Sequence, residues 1–212
     1  MGHGTNGVTW EADRDTVLST ATPYFEQGKE VVLVGHSYGG VPVTVATEGQ
    51  GVAERAKRGL PGGFHSVIFM SAFAVPTRGM DVLTASGGTY SEGFIAGKPY
   101  TKNQMTNVSQ KAFQLLYNDA TEDEAKETFG KLLPHSQDAF ELPLAWSATD
   151  ITIPKTFLMC ENDLVFPLLH QQQLIKAIPG MREAKIVAGH SPFLGKSMEL
   201  AKKLIEIAKE VS

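Results

Sequence analysis

The chain has 212 residues, a formal net charge of −4, 42% hydrophobic residues and 20% charged residues. This length and composition predict a globular protein with a substantial core and argue against disorder. Lys and Arg are scattered over an acidic chain, so no basic surface is expected for nucleic acid. No stretch approaches the roughly 18 to 20 continuous apolar residues of a membrane helix, and the N-terminus lacks a secretory signal pattern.

The cysteine content and the absence of metal-ligand motifs narrow the class of protein further. Cys160 is the single cysteine, which excludes an internal disulfide and favours a reducing compartment. The sequence has no His-Glu-x-x-His motif, no cysteine pair and no Gly-rich loop ending in Gly-Lys-Ser or Gly-Lys-Thr. We therefore expect a cytoplasmic protein that uses neither a metal nor an organic cofactor.

The first predicted element is a helix that begins after Thr9 and ends at Gly28. Thr9 is suited to cap the helix, and its apolar residues recur at helical spacing. Pro23 is expected to kink or interrupt this helix because proline lacks a backbone donor.

The next element is an apolar strand that runs into a sharp turn. Residues 31–40 read V-V-L-V-G-H-S-Y-G-G and contain the Gly-x-Ser-x-Gly pattern of a nucleophile elbow. Such a turn exposes the hydroxyl of Ser37 and strains its backbone, and the small residues Gly35, Gly39 and Gly40 tolerate the crowding. The pattern therefore predicts a serine nucleophile between a strand and a helix.

The rest of the chain alternates strands and helices. Strands are predicted near residues 30–35, 66–72, 156–160 and 184–189, and helices over residues 167–178 and 198–211. Between the second and third strands lies a long insertion, about residues 73–153, in which Thr121 and Glu124 form a capping box. The alternation predicts a parallel sheet covered by helices, and residues 1–212 are expected to form one domain with the insertion as a cap over the site.

Candidate partners for Ser37 follow the last two strands. A serine hydroxyl needs a base to take its proton and an acid to orient that base. Asp163 lies just beyond the third strand and His190 just beyond the fourth, and strand ends on one edge of a parallel sheet converge. We expect His190 to be the base and Asp163 the acid, with Glu161 and Asp81 as alternative acids.

These residues also have simpler interpretations. Asp163 is also placed to cap the following helix, and a Gly-His pair after a strand is also typical of a turn. The other histidines are weaker candidates, and His36 is expected to point away from the nucleophile. They are His3, His65, His135 and His170.

Three segments together are similar to one family. The segments G-H-S-Y-G-G, C-E-N-D-L-V-F-P and A-G-H-S-P-F resemble the α/β-hydrolase clade that contains plant methyl-ester esterases and hydroxynitrile lyases. The resemblance covers nearly the whole chain, and it implies Ser37 as nucleophile, Asp163 as acid and His190 as base. Lyase members typically have Glu before the nucleophile and Lys after the histidine, where this chain has His36 and Ser191, so it resembles the esterases more.

The chain departs from that family at its start. Family members carry further strands and a loop with a second oxyanion donor before the elbow, whereas 36 residues precede Ser37 here. N-terminal strands are therefore expected to be missing. The backbone N–H of Tyr38 is expected to be one oxyanion donor, and the stretch Gly2-His3-Gly4 is a candidate for the other.

These observations support several functional hypotheses. The first is hydrolysis of a small carboxylic ester through an acyl-enzyme; the alternatives are cyanohydrin cleavage and a weakly active or non-catalytic ligand-binding protein. Apolar side chains of the insertion are expected to line the substrate pocket, namely Phe94, Tyr100, Met105, Phe113 and Trp146. The exposed edge of the first strand is expected to remain unpaired or to pair with a second copy of the chain, giving a homo-oligomer.

Overall fold

A parallel sheet with helices on both faces forms the centre of the computed structural model, which describes residues 4–210. In chain order the strands of this part are β1 (Glu30–Ser37), β2 (Gly63–Ala72), β3 (Phe94–Ile95), β4 (Met105–Val108), β5 (His135–Ser136), β6 (Lys155–Cys160) and β7 (Met181–Ile186). The helices are α1 (Trp10–Glu26), α2 (Gly40–Ala46), α3 (Val52–Ala56), α4 (Val82–Ala85), α5 (Ala112–Leu116), α6 (Glu122–Phe129), α7 (Asp138–Glu141), α8 (Leu168–Ala177), α9 (Pro192–Gly195) and α10 (Ser197–Lys209), with a 3-10 turn at Ala148–Asp150.

The central sheet has the strand order β1-β2-β6-β7, and every neighbouring pair is parallel. Ser37 pairs with Ala72 at the end of β1 and β2, and Cys160 pairs with Ile186 at the end of β6 and β7. The carboxyl ends of the strands therefore meet at one edge of the sheet, and the loops that follow them converge there. The predicted α/β architecture is confirmed.

Two apolar layers bury the sheet. On one face, Phe25 of α1 and Ile175 of α8 pack with Phe69 and Phe157 of the strands. On the other face, α10 packs against Ile68, Leu158 and their neighbours. Because both faces are covered, β2 and β6 are almost wholly buried, and residues 67–70 and 157–160 within them are continuously apolar.

The strand predictions agree with the structure except for the last one. Residues 30–35, 66–72 and 156–160 all lie within observed strands, whereas the fourth strand is Met181–Ile186 rather than 184–189. The apolar residues Ala184, Ile186, Val187 and Ala188 suggested the later position, but β7 is an edge strand. An edge strand tolerates exposed charges such as Arg182 and Glu183, so pairing with β6 begins earlier than the apolar pattern indicates.

The first helix also differs from the sequence pattern. It continues through Pro23 to Glu26, although Pro23 lacks the N–H that would donate to the carbonyl four residues earlier. Thr9 occupies the N-cap position, but its hydroxyl donates to the Glu11 carboxylate at 2.6 Å instead of accepting from the backbone. Gly28 follows the helix with a φ of +75° and donates its N–H to the Phe25 carbonyl, as a glycine beyond a helix end is suited to do.

The insertion between β2 and β6 contains α4 to α7 and a small antiparallel sheet of β3, β4 and β5. The predicted capping box is confirmed, because Thr121 and Glu124 exchange side chain to backbone hydrogen bonds at the start of α6. The small sheet was not predicted from sequence, since two of its strands have only two residues each.

Strand β1 lies at the edge of the central sheet and pairs with β2 alone within residues 4–210. Val34 on this strand is 42% exposed. Association of two copies through this edge stays a prediction. Among the residues described, none of the helices combines the length and apolar character needed to cross a membrane.

The start of α2 provides a stability test. A Cβ added at Gly40 would lie 2.4 Å from the carbonyl oxygen of Phe73, whereas one at Gly130 would meet nothing closer than 3.4 Å. Overpacking a rigid site typically costs about 1 to 3 kcal/mol. We expect Gly40→Ala to lower the free energy of unfolding by that amount and Gly130→Ala to change it by less than about 0.5 kcal/mol, measured by urea denaturation. Equal effects of the two substitutions would contradict the close approach at Gly40.

Candidate active site

The turn after β1 holds Ser37 in a strained conformation. Its φ is +52°, a left-handed value that non-glycine residues seldom adopt. A Cβ added at Gly35 would lie 2.7 Å from the Gly39 carbonyl oxygen, and one at Gly39 would lie 2.9 Å from that of His36. The tight turn therefore requires these glycines, as the elbow pattern predicts.

Three predicted side chains meet at the edge of the sheet. His190 Nε2 lies 3.1 Å from Ser37 Oγ, and His190 Nδ1 lies 2.7 Å from Asp163 Oδ2. Because the ionised carboxylate accepts the Nδ1–H bond, Nε2 is left as the acceptor for the Ser37 hydroxyl. His190 and Asp163 are 2% and 4% exposed, so water competes little with these hydrogen bonds.

The Asp163 carboxylate is fully satisfied by donors. Oδ1 accepts the backbone N–H groups of Val165 and Phe166, each at 2.8 Å, and Oδ2 accepts His190 Nδ1–H and the Ser71 hydroxyl. Burial alone would raise the pKa of this carboxyl. The hydrogen bonds and the favourable electrostatic interaction with His190 outweigh burial, so the pKa of Asp163 lies below its ordinary value and the group stays ionised.

The alternative acids lie elsewhere. Asp81 accepts the backbone N–H of Thr84 at 2.7 Å and caps the start of α4. Glu161 occupies the turn after β6, where its backbone N–H donates to the Ile186 carbonyl. The carboxylate that contacts His190 is Asp163.

Tyr38, the expected oxyanion donor, directly follows Ser37 and is fixed by its side chain. Its hydroxyl donates to Asp13 Oδ2 at 2.8 Å, and its ring packs against His135 and Phe140. Burial, followed by the Asp13 charge, raises the pKa of Tyr38, so the hydroxyl remains a donor. The long side chain thus anchors the backbone of the residue beside Ser37.

The candidate for a second oxyanion donor is not supported by the described residues. Gly2 and His3 lie outside the described range, and the Gly4 N–H donates to the Pro134 carbonyl at 3.0 Å. The Gly4 donor is therefore already used by another acceptor.

The His36 side chain contacts His190, the histidine that contacts Ser37. Its Nε2 lies 2.7 Å from the His190 carbonyl oxygen, and its ring contacts the rings of His190 and Phe193. Burial, followed by the electrostatic interaction with His190, lowers the pKa of His36 to about 4. His36 is therefore neutral near pH 7, with Nε2–H donating to the carbonyl. The sequence pattern carried no signal for this contact across 154 positions.

Two residues of the insertion contact the loops that carry Asp163 and His190. Asp119 Oδ2 accepts the Gly189 N–H at 2.7 Å, and Asn118 Nδ2 donates to the Asn162 carbonyl at 2.9 Å. A Cβ added at Gly189 would lie 2.1 Å from Asn118 Oδ1. The insertion therefore packs directly against the backbone beside His190. This contact has no signature in the sequence, because Asp119 and Gly189 are 70 positions apart.

A cavity of about 940 Å³ opens beside Ser37 and lies between the sheet and the insertion. Apolar side chains dominate its wall, including Phe73, Val82, Phe94, Phe140, Phe166 and Leu174. Among the residues predicted to line it, only Phe94 does so. The other four lie away from it; Tyr100, for example, donates its hydroxyl to Asp138, Phe113 packs with Phe129, and Trp146 lies under Arg78. These aromatics stabilise the insertion itself.

The weaker histidine candidates have other positions. His135 and His170 line the cavity, and His65 contacts the Glu30 carboxylate at 2.8 Å. Within the part of the chain that the structure describes, no group of three or more His, Cys, Asp or Glu residues is arranged to hold a metal ion.

Comparison with known proteins agrees with this fold. The family model described as "Alpha/beta hydrolase family" matches residues 1–202. The chain is 28% identical over 190 residues to "Alpha/beta hydrolase nvfD" of Aspergillus novofumigatus (strain IBT 16806), a match that covers 88% of this chain and 73% of that protein. The chain therefore belongs to the alpha/beta hydrolase family.

Two solved structures illustrate the likeness. Polyneuridine aldehyde esterase superimposes with a TM-score of 0.73 at 17% identity, covering 94% of this chain and 80% of that one. A methylesterase from Arabidopsis superimposes with a TM-score of 0.67 at 17% identity, covering 95% and 78%. At this identity the superposition shows a shared fold, and it confirms the resemblance to plant methylesterases noted from the sequence.

The neutral state of His36 can be tested by titration. We expect the His36 ring to remain unprotonated until pH about 4 in NMR spectra of the histidine side chains. Because the folded pKa lies below the unfolded value near 6.5, the free energy of unfolding should decrease as pH falls from about 6.5 to 4. His36→Gln keeps a donor for the His190 carbonyl and should show a shallower decrease over this window. Protonation of His36 near pH 6.5 would contradict the assignment.

Proposed function

We propose that this protein is a serine hydrolase that cleaves a carboxylic ester through an acyl-enzyme. The supporting observation is the continuous hydrogen-bond chain from Ser37 through His190 to Asp163, with Ser37 on the wall of an apolar cavity. Family membership supports hydrolysis in general. The proposal adds the ester substrate, the roles of the three residues and the covalent intermediate.

The proposed reaction begins with proton transfer. His190 Nε2 takes the proton of Ser37 as Oγ attacks the ester carbonyl, and the carbonyl π electrons move onto oxygen. Asp163 accepts the Nδ1–H bond throughout and stabilises the imidazolium. When the tetrahedral intermediate collapses, the C–O bond to the alcohol breaks and His190 donates the proton to the departing oxygen.

The second half releases the acid product. A water molecule gives its proton to His190 and attacks the acyl carbon, and the acyl bond to Ser37 then breaks as His190 returns the proton to Oγ. The backbone N–H of Tyr38 is the proposed donor to the oxyanion in both halves, because it belongs to the residue after the nucleophile. No metal or organic cofactor is needed for either step.

The cavity suggests an apolar small-molecule ester as substrate. Its volume of about 940 Å³ is near the upper end of typical ligand sites, and aromatic and aliphatic side chains form most of the wall near Ser37. A bulky apolar group on the ester would therefore be buried while its carbonyl reaches Ser37.

The central test is substitution of the nucleophile. We expect Ser37→Ala to lower kcat/KM for p-nitrophenyl butyrate by about 10⁴-fold or more and to abolish labelling by a fluorophosphonate probe. Ser19→Ala, on the exposed surface of α1, is the matched control and should retain both. Circular dichroism verifies that each variant is folded.

Other outcomes would identify the alternatives. Equal turnover by the wild-type protein and Ser37→Ala would overturn the proposal in favour of a ligand-binding role. Folded wild-type protein that releases an aldehyde from a cyanohydrin but never labels with the probe would indicate lyase chemistry without acylation.

The apolar cavity predicts a preference for longer acyl chains. Each buried methylene contributes about 0.8 kcal/mol, so kcat/KM should be at least about 10²-fold higher for p-nitrophenyl octanoate than for the acetate. Phe94→Ala should reduce this ratio by about 3- to 10-fold, since Phe94 lines the cavity. Phe113→Ala should leave the ratio unchanged, because Phe113 packs with Tyr117 and Phe129 instead. A ratio near one in the wild-type protein would contradict an apolar acyl site.

A further inference from the structure

The end of β2 contains a second strained serine. Ser71 has a φ of +40°, and the non-glycine residues of the described range with positive φ are Ser37, Ser71 and Asn103. Asparagine tolerates the left-handed region, whereas serine seldom adopts it. The elbow motif accounts for the positive φ of Ser37, but it does not require a positive φ at Ser71. Strained residues of this kind concentrate at functional sites.

The hydroxyl of this strained serine contacts Asp163. Ser71 is 1% exposed, and its Oγ donates to Asp163 Oδ2, the same oxygen that accepts His190 Nδ1–H. Strand β2 lies between β1 and β6, so Ser71 stands between the strand that carries Ser37 and the loop that carries Asp163. Two residues later, the Phe73 N–H donates to the Ser37 carbonyl at 3.0 Å.

Ordinary packing does not account for this arrangement. Ser66 lies on the same strand and is 2% exposed, yet it has no positive φ and its hydroxyl makes no hydrogen bond in the structure. A buried serine in β2 therefore needs neither strain nor a charged partner. Ser71 has both.

We propose that Ser71 is a positioning residue whose hydroxyl holds the Asp163 carboxylate ionised and aimed at His190 during ester hydrolysis. This inference rests on the proposed function. The Ser71 hydrogen bond is one of the interactions that lower the pKa of Asp163 against the effect of burial. With that donor removed, Oδ2 keeps the His190 bond alone, so the carboxylate is more basic and less restrained.

The test compares two variants that both remove the hydroxyl. Ser71→Ala still places a residue with a Cβ at the strained positive φ, whereas Ser71→Gly removes the Cβ and relieves the strain. If the hydroxyl matters, both variants should lower kcat for a p-nitrophenyl ester about 10-fold with little change in KM, a typical loss for one hydrogen bond to a charged group. Ser66→Ala is the matched control and should leave kcat unchanged.

Two further readouts separate positioning from a structural role. The acid limb of the kcat/KM profile should move to higher pH in both Ser71 variants. A more basic Asp163 carboxylate favours the protonated form of the Asp163–His190 pair, and that form cannot accept the Ser37 proton. The other titratable residues nearby are not substituted in these variants; they are His36, Cys160 and Asp119. The NMR resonance of the His190 Nδ1–H proton should shift in Ser71→Ala and Ser71→Gly but not in Ser66→Ala.

The outcomes distinguish this inference from the proposed function. If folded Ser71 variants show the wild-type kcat, pH profile and Nδ1–H resonance, the positioning role is overturned. Turnover that depends on Ser37 would still support ester hydrolysis. If the wild-type protein shows no turnover, but its Nδ1–H resonance still shifts in the Ser71 variants, ester hydrolysis is overturned and the effect of Ser71 on Asp163 is supported. Loss of folding in both Ser71 variants would assign Ser71 to folding and overturn the inference.

Discussion

The close packing of backbone at the end of β1 is the constraint on which the rest of the site depends. The strained φ of Ser37 is possible because Gly35, Gly39 and Gly40 leave no side chain in the turn. The Ser37 carbonyl accepts the N–H of Phe73, so the turn after β1 is bonded to the segment after β2. A central parallel sheet keeps these two strand ends in register, and the position of Ser37 follows from that register.

A buried carboxylate imposes the second constraint. Burying an unpaired charge is costly, so Asp163 persists as an anion only because four donors surround it. These donors come from β2, from the loop after β6 and from the loop after β7. The need to satisfy one charge therefore fixes the relative positions of three segments, and it orients His190 toward Ser37.

The insertion contributes to the same arrangement from the opposite side. Asn118 and Asp119 bond the loops beside Asp163 and His190, while other residues of the insertion form the apolar wall of the cavity. One segment thus both shapes the proposed acyl site and packs against the backbone of the proposed base. The shape of the cavity and the position of His190 therefore both depend on how this one segment packs.

The sequence by itself determined the local features and the placement of chemistry along the chain. The elbow motif indicated the turn at Ser37, strand and helix periodicity indicated the parallel sheet, and the positions of Asp163 and His190 after strands predicted that they would meet. The tertiary structure alone decided the contacts of Ser71, His36 and Asp119, the early start of β7 and the residues that line the cavity. The physical reason is the separation along the chain of the residues that interact. Turns, caps and periodic burial depend on neighbours within a few residues, whereas these hydrogen bonds and the edge pairing join segments that only folding brings together.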